Sequence, residues 1–181
     1  MMFSTKAEYG VRVMVALAQR AAASPAGEEP VVPLAEIAEH DGLPLAYLEH
    51  LVARLRKAGL VDSRRGSRGG YMLARPPAEI TMAEVVEALE GSIAPIECIS
   101  QNPDGSIVCS RESEGRAGSH LCPTKLLWTR VRMAIVRTLV ETTLADLAKG
   151  LASPALPAHT SELPLAAAAL TPTAPTQTAT A

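Results

Sequence analysis

The strongest constraint on how this chain folds lies between Val32 and Pro76, which reads VPLAEIAEHDGLPLAYLEHLVARLRKAGLVDSRRGSRGGYMLARP. Leu34, Ile37 and Ala38 stripe a short helix, and HDGLP makes a tight turn around Gly42. Leu45, Leu48, Leu51, Val52 and Leu55 then stripe a second helix that ends before Gly59. Two short helices about a glycine turn are a helix-turn-helix. LVDSRR and GYMLAR follow as strand-like runs around GSRG, closed by Pro76 and Pro77. A helix-turn-helix that runs into an arginine-tipped hairpin is a winged helix-turn-helix. Its second helix enters the major groove, and its wing lies against the backbone or minor groove. The predicted fold class is therefore mainly α with a small β-hairpin wing.

The glycines of the wing invite a different reading, as a loop that cradles a nucleotide. That chemistry needs a helix N-terminus behind the glycines, and a P-loop also needs Gly-Lys-Ser/Thr. Here YMLARPP follows, a strand and then proline. A solvated hairpin is the plain alternative, but the helix-turn-helix before it favours DNA contact. With a formal charge of −2 the whole chain is no general polyanion binder, so the argument rests on local clustering. Arg64, Arg65, Arg68 and Arg75 stand against the lone acid Asp62. Tyr47, Glu49 and His50 on the second helix are candidates to reach base edges, and Arg54, Arg56 and Lys57 add charge to the same segment. A carboxylate in the groove accepts from cytosine and restricts binding more than it strengthens it. Partial burial of Tyr47 and plain surface solubility of Glu49 are the competing readings.

The rest of the chain supports these elements. Apolar residues from Val11 to Ala18 recur at helical spacing with Ser4 as a candidate N-cap, and AASPAGEEP reads as a loop. TMAEVVEALEG is a helix with Thr81 and Glu84 in a capping box and Gly91 as its stop. From Ser92 to His120 the sequence reads as irregular and polar, and a long helix is expected from Pro123 to Lys149, with Leu127, Val131, Ala134, Ile135, Leu139, Val140, Leu144 and Leu147 on its apolar face. Two such helices can bury those faces against each other, and Trp128 reads as core or interface. Beyond Gly150 the Ala/Pro/Thr-rich sequence, nearly without charge, reads as disordered. At 181 residues and 48% hydrophobic, the chain has material for one core and an appendage. VRVMVALAQRAAASPAG faintly imitates a signal peptide, but Glu8, Arg12, Gln19 and Arg20 interrupt it and no run is long enough to span a membrane. Three cysteines, an odd number, argue against a secreted disulfide scaffold, so the expected setting is cytoplasmic.

STKAEYGVRVMVALA, the helix-turn-helix with its wing motif RGSRGGYMLAR, and ITMAEVVEALEG together closely resemble the Rrf2 family of bacterial transcription regulators, which includes iron-sulfur and nitric-oxide sensors. The resemblance covers residues 1–149. It implies a homodimer with a winged helix-turn-helix on each subunit, a long dimerisation helix, and a cysteine-bearing loop that often holds an iron-sulfur cluster. The implied division is a DNA-binding domain over 1–91, a cluster loop over 92–122, a dimerisation helix over 123–149 and a tail over 150–181. The resemblance also makes Arg65 the contact arginine of the wing, puts Tyr47 and Glu49 in the recognition helix, and puts Cys98, Cys109 and Cys122 in the cluster loop. Well-known members set their cysteines closer together, so the cluster type does not carry over. Members with a ligating histidine place it just after the last cysteine, and CPTKLLW has none. Glu8, where some relatives place a carboxylate that reaches the partner subunit's cluster, is the candidate fourth ligand, with His120 as the local alternative.

Thiolates are soft ligands suited to iron-sulfur clusters, which normally take four protein contacts. Three cysteines and one carboxylate or imidazole leave one iron weakly held, and lability suits a sensor of iron, redox state or nitric oxide. The competing uses are a zinc site with His120, a thiol switch, or no shared role. With the resemblance the expectation is a 2Fe–2S rather than a 4Fe–4S cluster, in a repressor-type regulator that binds double-stranded promoter DNA as a homodimer. No catalytic constellation is visible, so an enzyme is not expected. A winged-helix scaffold that docks proteins is the alternative from another class.

Overall fold

The computed structural model describes residues 3–24, 30–66, 68–102, 104–110 and 122–150. Helix α1 (Thr5–Ala23) begins at Ser4, whose hydroxyl accepts from the Lys6 amide. Val32 leads through Pro33 into α2 (Leu34–Asp41), which stops at Gly42 with φ +65°, the left-handed C-terminal cap that glycine adopts without strain. Pro44 then starts α3 (Leu45–Lys57). Strands β1 (Val61–Arg64) and β2 (Gly70–Leu73) pair antiparallel, with Val61 opposite Leu73 and Arg64 opposite Gly70. A single 3-10 turn at Pro77–Glu79 precedes α4 (Met82–Glu90), which the expected Thr81–Glu84 capping box opens and Gly91 ends. The fold is mainly helical with a two-stranded wing, as the sequence predicts.

One core joins these elements. Val13, Met14 and Leu17 of α1 meet Leu34 and Ile37 of α2, Leu48, Leu51, Val52 and Leu55 of α3, and Val85 and Leu89 of α4. Each such buried aliphatic contributes roughly 1.5–3 kcal/mol relative to exposure. The helix spacing read in the sequence places these residues on the inward faces.

Two expectations change past Gly91. The stretch read as irregular holds a second antiparallel hairpin, β3 (Ile99–Gln101) and β4 (Ile107–Cys109), with Ile99 opposite Cys109 and Gln101 opposite Ile107. Three-residue strands are too short to show an alternating pattern. The helix expected over 123–149 is two helices, α5 (Lys125–Glu141) and α6 (Leu144–Ala148). The break has a clear cause. Thr143 caps α6 in a capping box with Asp146, while Met82 N–H donates to the Thr142 carbonyl at 2.9 Å and Leu144 N–H to the Ile80 carbonyl at 2.8 Å. These bonds turn α6 back onto α1 and the 3-10 turn, where Leu144 is fully buried in the same core. The core thus draws on a residue beyond the 1–91 boundary. Residues 151–181, where the tail was expected, lie outside the described residues. Among the described residues no helix is long and apolar enough to cross a membrane.

Candidate nucleic-acid interface and cysteine hairpin

Because Leu48, Leu51, Val52 and Leu55 fix the inward face of α3, the opposite face is determined: Ala46, Glu49, His50 and Ala53 are exposed at the i, i+3, i+4, i+7 spacing of one helical stripe. Small residues alternating with Glu49 and His50 make a shallow surface that can approach base edges. Tyr47 is half-buried, and its ring meets Tyr9 of α1 edge-on at 5.9 Å. Arg54 donates from Nη1 to the Leu89 carbonyl at 3.1 Å, at the C-terminus of α4. Lys6, Tyr47, His50, Arg54 and Lys57 line an open groove of about 510 Å³ beside α3.

The wing is closed backbone on backbone. Gly66 turns the chain at φ +120°, and a Cβ on Gly69 would lie 2.5 Å from the Arg64 carbonyl oxygen. Val32 and Tyr71 exchange two hydrogen bonds, 2.9 and 2.8 Å, which dock the wing against the segment before α2. A Cβ on Gly70 would meet the Val32 carbonyl oxygen at 2.4 Å, so that docking requires glycine. Arg64, Arg65 and Arg68 are exposed at the tip, and no carboxylate among the described residues pairs with Arg65 or Arg68. Arg75 is different: it pairs with Glu84 at 2.7 Å and donates to the Glu79 carbonyl, so it anchors the wing's base.

The cysteines come from three elements. Cys98 precedes β3 and its carbonyl accepts from Ser110 N–H at 2.9 Å, Cys109 ends β4 and is 1% exposed, and Cys122 lies just before α5. The Cys122 thiol is held below its ordinary value, chiefly by the Thr124 hydroxyl at 3.4 Å from its sulfur. The Thr124 N–H acts next, then the Cys109 thiol and the Lys125 N–H, against desolvation. Cys109 at the end of β4 is thus a neighbour of Cys122 at the foot of α5. None of the three is in a disulfide. Among the described residues no three of His, Cys, Asp and Glu are grouped closely enough to hold a metal ion. Glu8 is exposed on α1 and paired with Arg12 at 2.8 Å, and His120 lies outside the described residues.

Four large apolar residues of α5 are exposed in the single chain. Leu126 and Met133 are each 61% exposed and Val140 is 50% exposed, at heptad spacing along one face, with Leu127 beside them. Val131, Ile135 and Leu139 are half-buried. The expected single stripe thus divides between an inward and an outward face. Arg132, which sequence reasoning passed over, is the buried side chain of this helix.

Comparison with known proteins fits this arrangement. The family model described as Rrf2, iron-dependent transcriptional regulator, matches residues 3–150. CymR of Bacillus subtilis is 36% identical over 82% of this chain and 90% of its own. IscR of Xenorhabdus nematophila is 36% identical over 82% of this chain and 80% of its own. The solved structure of B. subtilis CymR, described as the global cysteine regulator of that organism, superposes with a TM-score of 0.62 over 82% of this chain and 97% of its own, at 36% identity. T. potens IscR does so with a TM-score of 0.60 over 82% of this chain and 87% of its own, at 37% identity.

Proposed function

The chain belongs to the Rrf2 family of transcription regulators, and from that premise we propose that it is a homodimeric promoter-binding regulator whose DNA affinity is set by an iron-sulfur cluster held on its three cysteines. The observation that carries this reading is the β3–β4 hairpin, which sets Cys98 beside Cys109 through the Ser110 N–H to Cys98 carbonyl bond, with Cys122 at the foot of α5, the helix whose outward stripe offers itself to a second copy. Residues 1–91 bind DNA in this reading, 92–122 sense, and α5 dimerises. Glu49 and His50 face the bases, Tyr47 stiffens their helix, and Arg64, Arg65 and Arg68 hold phosphates. Arg54 adds positive potential beside the groove while bonded to α4. Two recognition helices ask for a palindromic site with half-sites about a helical turn, or a multiple of it, apart.

The donor types suit the group, while in the single chain no three candidate ligands among the described residues are grouped closely enough to hold a metal ion. Cys98, Cys109 and Cys122 would supply soft thiolates: Cys98 is bonded through its carbonyl to the residue after Cys109, and the Cys109 thiol is a neighbour of Cys122. Glu8 of the partner subunit would complete the set on leaving Arg12, with His120 as the alternative. Bound there, a cluster would supply redox-active iron, and 2Fe–2S is the type favoured. The chain's own part is to hold the thiols: Thr124 and the first amides of α5 favour the Cys122 thiolate, and burial shields Cys109.

A second reading, a thiol switch without a cluster, is favoured by the nearness of Cys109 to Cys122, because an oxidisable pair needs only those two sulfurs. Cys98 separates the two. Anaerobically isolated protein should show visible absorption and iron, and Cys98→Ser should lose both. If Cys98→Ser instead retains a redox-dependent change in DNA affinity while wild type carries no iron, the thiol switch stands and the cluster falls.

A further inference from the structure

Arg132 is the one buried charged side chain among the described residues, 6% exposed on a helix whose other residues are half-buried or exposed. Its Nε–H donates to the Ile93 carbonyl at 2.9 Å, in the segment leaving α4, and its Nη2 donates to the Gln101 side-chain carbonyl on β3. No carboxylate among the described residues pairs with it. Burying a guanidinium costs several kcal/mol, and neutral acceptors return only part of that, so an apolar side chain of the same volume would serve stability as well or better. Stability alone does not account for an arginine here.

The position of its partners does. Gln101 ends β3, the strand whose Ile99 lies opposite Cys109, and Cys98 precedes that strand. Ile93 belongs to the segment that joins α4 to the hairpin, and α4 carries the Leu89 carbonyl that holds Arg54 of α3. Arg132 itself rides on α5, whose foot holds Cys122. One planar fork therefore fixes the cysteine hairpin in orientation against α5, beside the exit from α4. A lysine has the charge but not the fork, and cannot keep both bonds in fixed geometry.

We infer that Arg132 is a positioning residue that locks the cysteine hairpin onto α5, so that a change at the cysteines reaches the helix that joins the two copies. This rests on the proposed function for the meaning of the signal, but the lock itself is tested without iron or DNA. Hydrogen–deuterium exchange is measured on the full-length, reduced, metal-free protein for wild type, Arg132→Gln, Arg132→Lys and Arg132→Met, each before and after alkylation of the cysteines with iodoacetamide. In Arg132→Gln the β3–β4 amides should exchange about tenfold faster while α1 to α4 are unchanged, with Arg132→Lys between it and wild type. Alkylation should alter exchange in α5 of wild type and leave α5 of Arg132→Gln unmoved. Arg132→Met, which keeps volume without the fork, should loosen the β3–β4 amides in the same way with α1 to α4 unchanged, and takes the place of Arg132→Gln where that variant is poorly folded. Unchanged hairpin exchange, an α5 response that survives in Arg132→Gln, no response in wild type, or a loss of protection spread across α1 to α4 would each overturn the lock. A wild type that takes up no iron and binds no promoter sinks the functional reading and leaves the lock standing.

Discussion

Arg54 and Arg65 look equivalent as letters, two arginines in a basic segment, yet they occupy different environments. Arg54 is bonded to the Leu89 carbonyl, whereas Arg65 stands exposed at the wing tip with no carboxylate among the described residues to pair with it. Arg65→Ala should therefore weaken promoter binding and reduce the slope of log affinity against log salt by about one, with thermal unfolding unchanged. Equal affinity and slope in wild type and variant would remove Arg65 from the interface. Glu90 was invisible as a functional letter, but its carboxylate caps α1. It accepts from Ser4 N–H at 3.0 Å, from the Ser4 hydroxyl and from Ala7 N–H at 3.3 Å, and it pairs with Lys6 at 3.2 Å. Burial pushes this carboxyl up, but the Ser4 and Lys6 bonds outweigh it and hold it below its ordinary 4.5. Its stabilisation is thus full above that value and is lost as pH falls through the lower, folded one. Glu90→Ala should cost about 1–2 kcal/mol near neutrality and flatten the acid branch of stability against pH, read by thermal unfolding across pH 2 to about 7.

Between elements, α1 crosses closely over α4 at Gly10. A Cβ on Gly10 would lie 2.1 Å from a Leu89 methyl, and Leu89 is fully buried. Gly10→Ala gains about 1 kcal/mol of helix propensity and meets an overpacking cost of about 1–3 kcal/mol. The clash should win, giving net destabilisation of up to about 2 kcal/mol by denaturant unfolding, from the difference of those two effects. Adding Leu89→Ala should restore part of the Gly10→Ala loss, and strict additivity of the two changes would refute the contact. The winged domain was legible in the sequence because each helix there has an inward stripe and a punctuating glycine or cap. The break at Thr142 and Thr143 was less so: the TLAD capping box is in the sequence, but the apolar periodicity runs straight through it. What ends α5 is pairing with Ile80 and Met82, partners remote in the chain. The β3–β4 hairpin fails to show because its strands are three residues each, too short for an alternating pattern, although Asp104 and Gly105 mark its turn.

For the whole molecule, the outward stripe of Leu126, Met133 and Val140 is the largest apolar surface the single chain leaves on α5. Met133→Glu should convert a dimer to a monomer by sedimentation and lower promoter affinity with it, while the fold of residues 3–91 persists by circular dichroism. A variant that stays dimeric would place the joint elsewhere. Heptad spacing made this face readable in principle, but a sequence cannot divide an apolar helix between its own core and a partner's. The cysteines were legible as a constellation and not as a geometry, because the strand and helix that bring Cys109 to Cys122 are set by tertiary contacts. The central claim is that their state governs DNA affinity, and one titration tests it. Anaerobically isolated protein is titrated with a duplex selected by the protein from a random-sequence pool, before and after its visible absorption is bleached by air. The account predicts a change in affinity of roughly 5- to 150-fold that is absent when Cys98, Cys109 and Cys122 are replaced by serine. Identical affinity before and after bleaching, or the same shift in the serine variant, would contradict it.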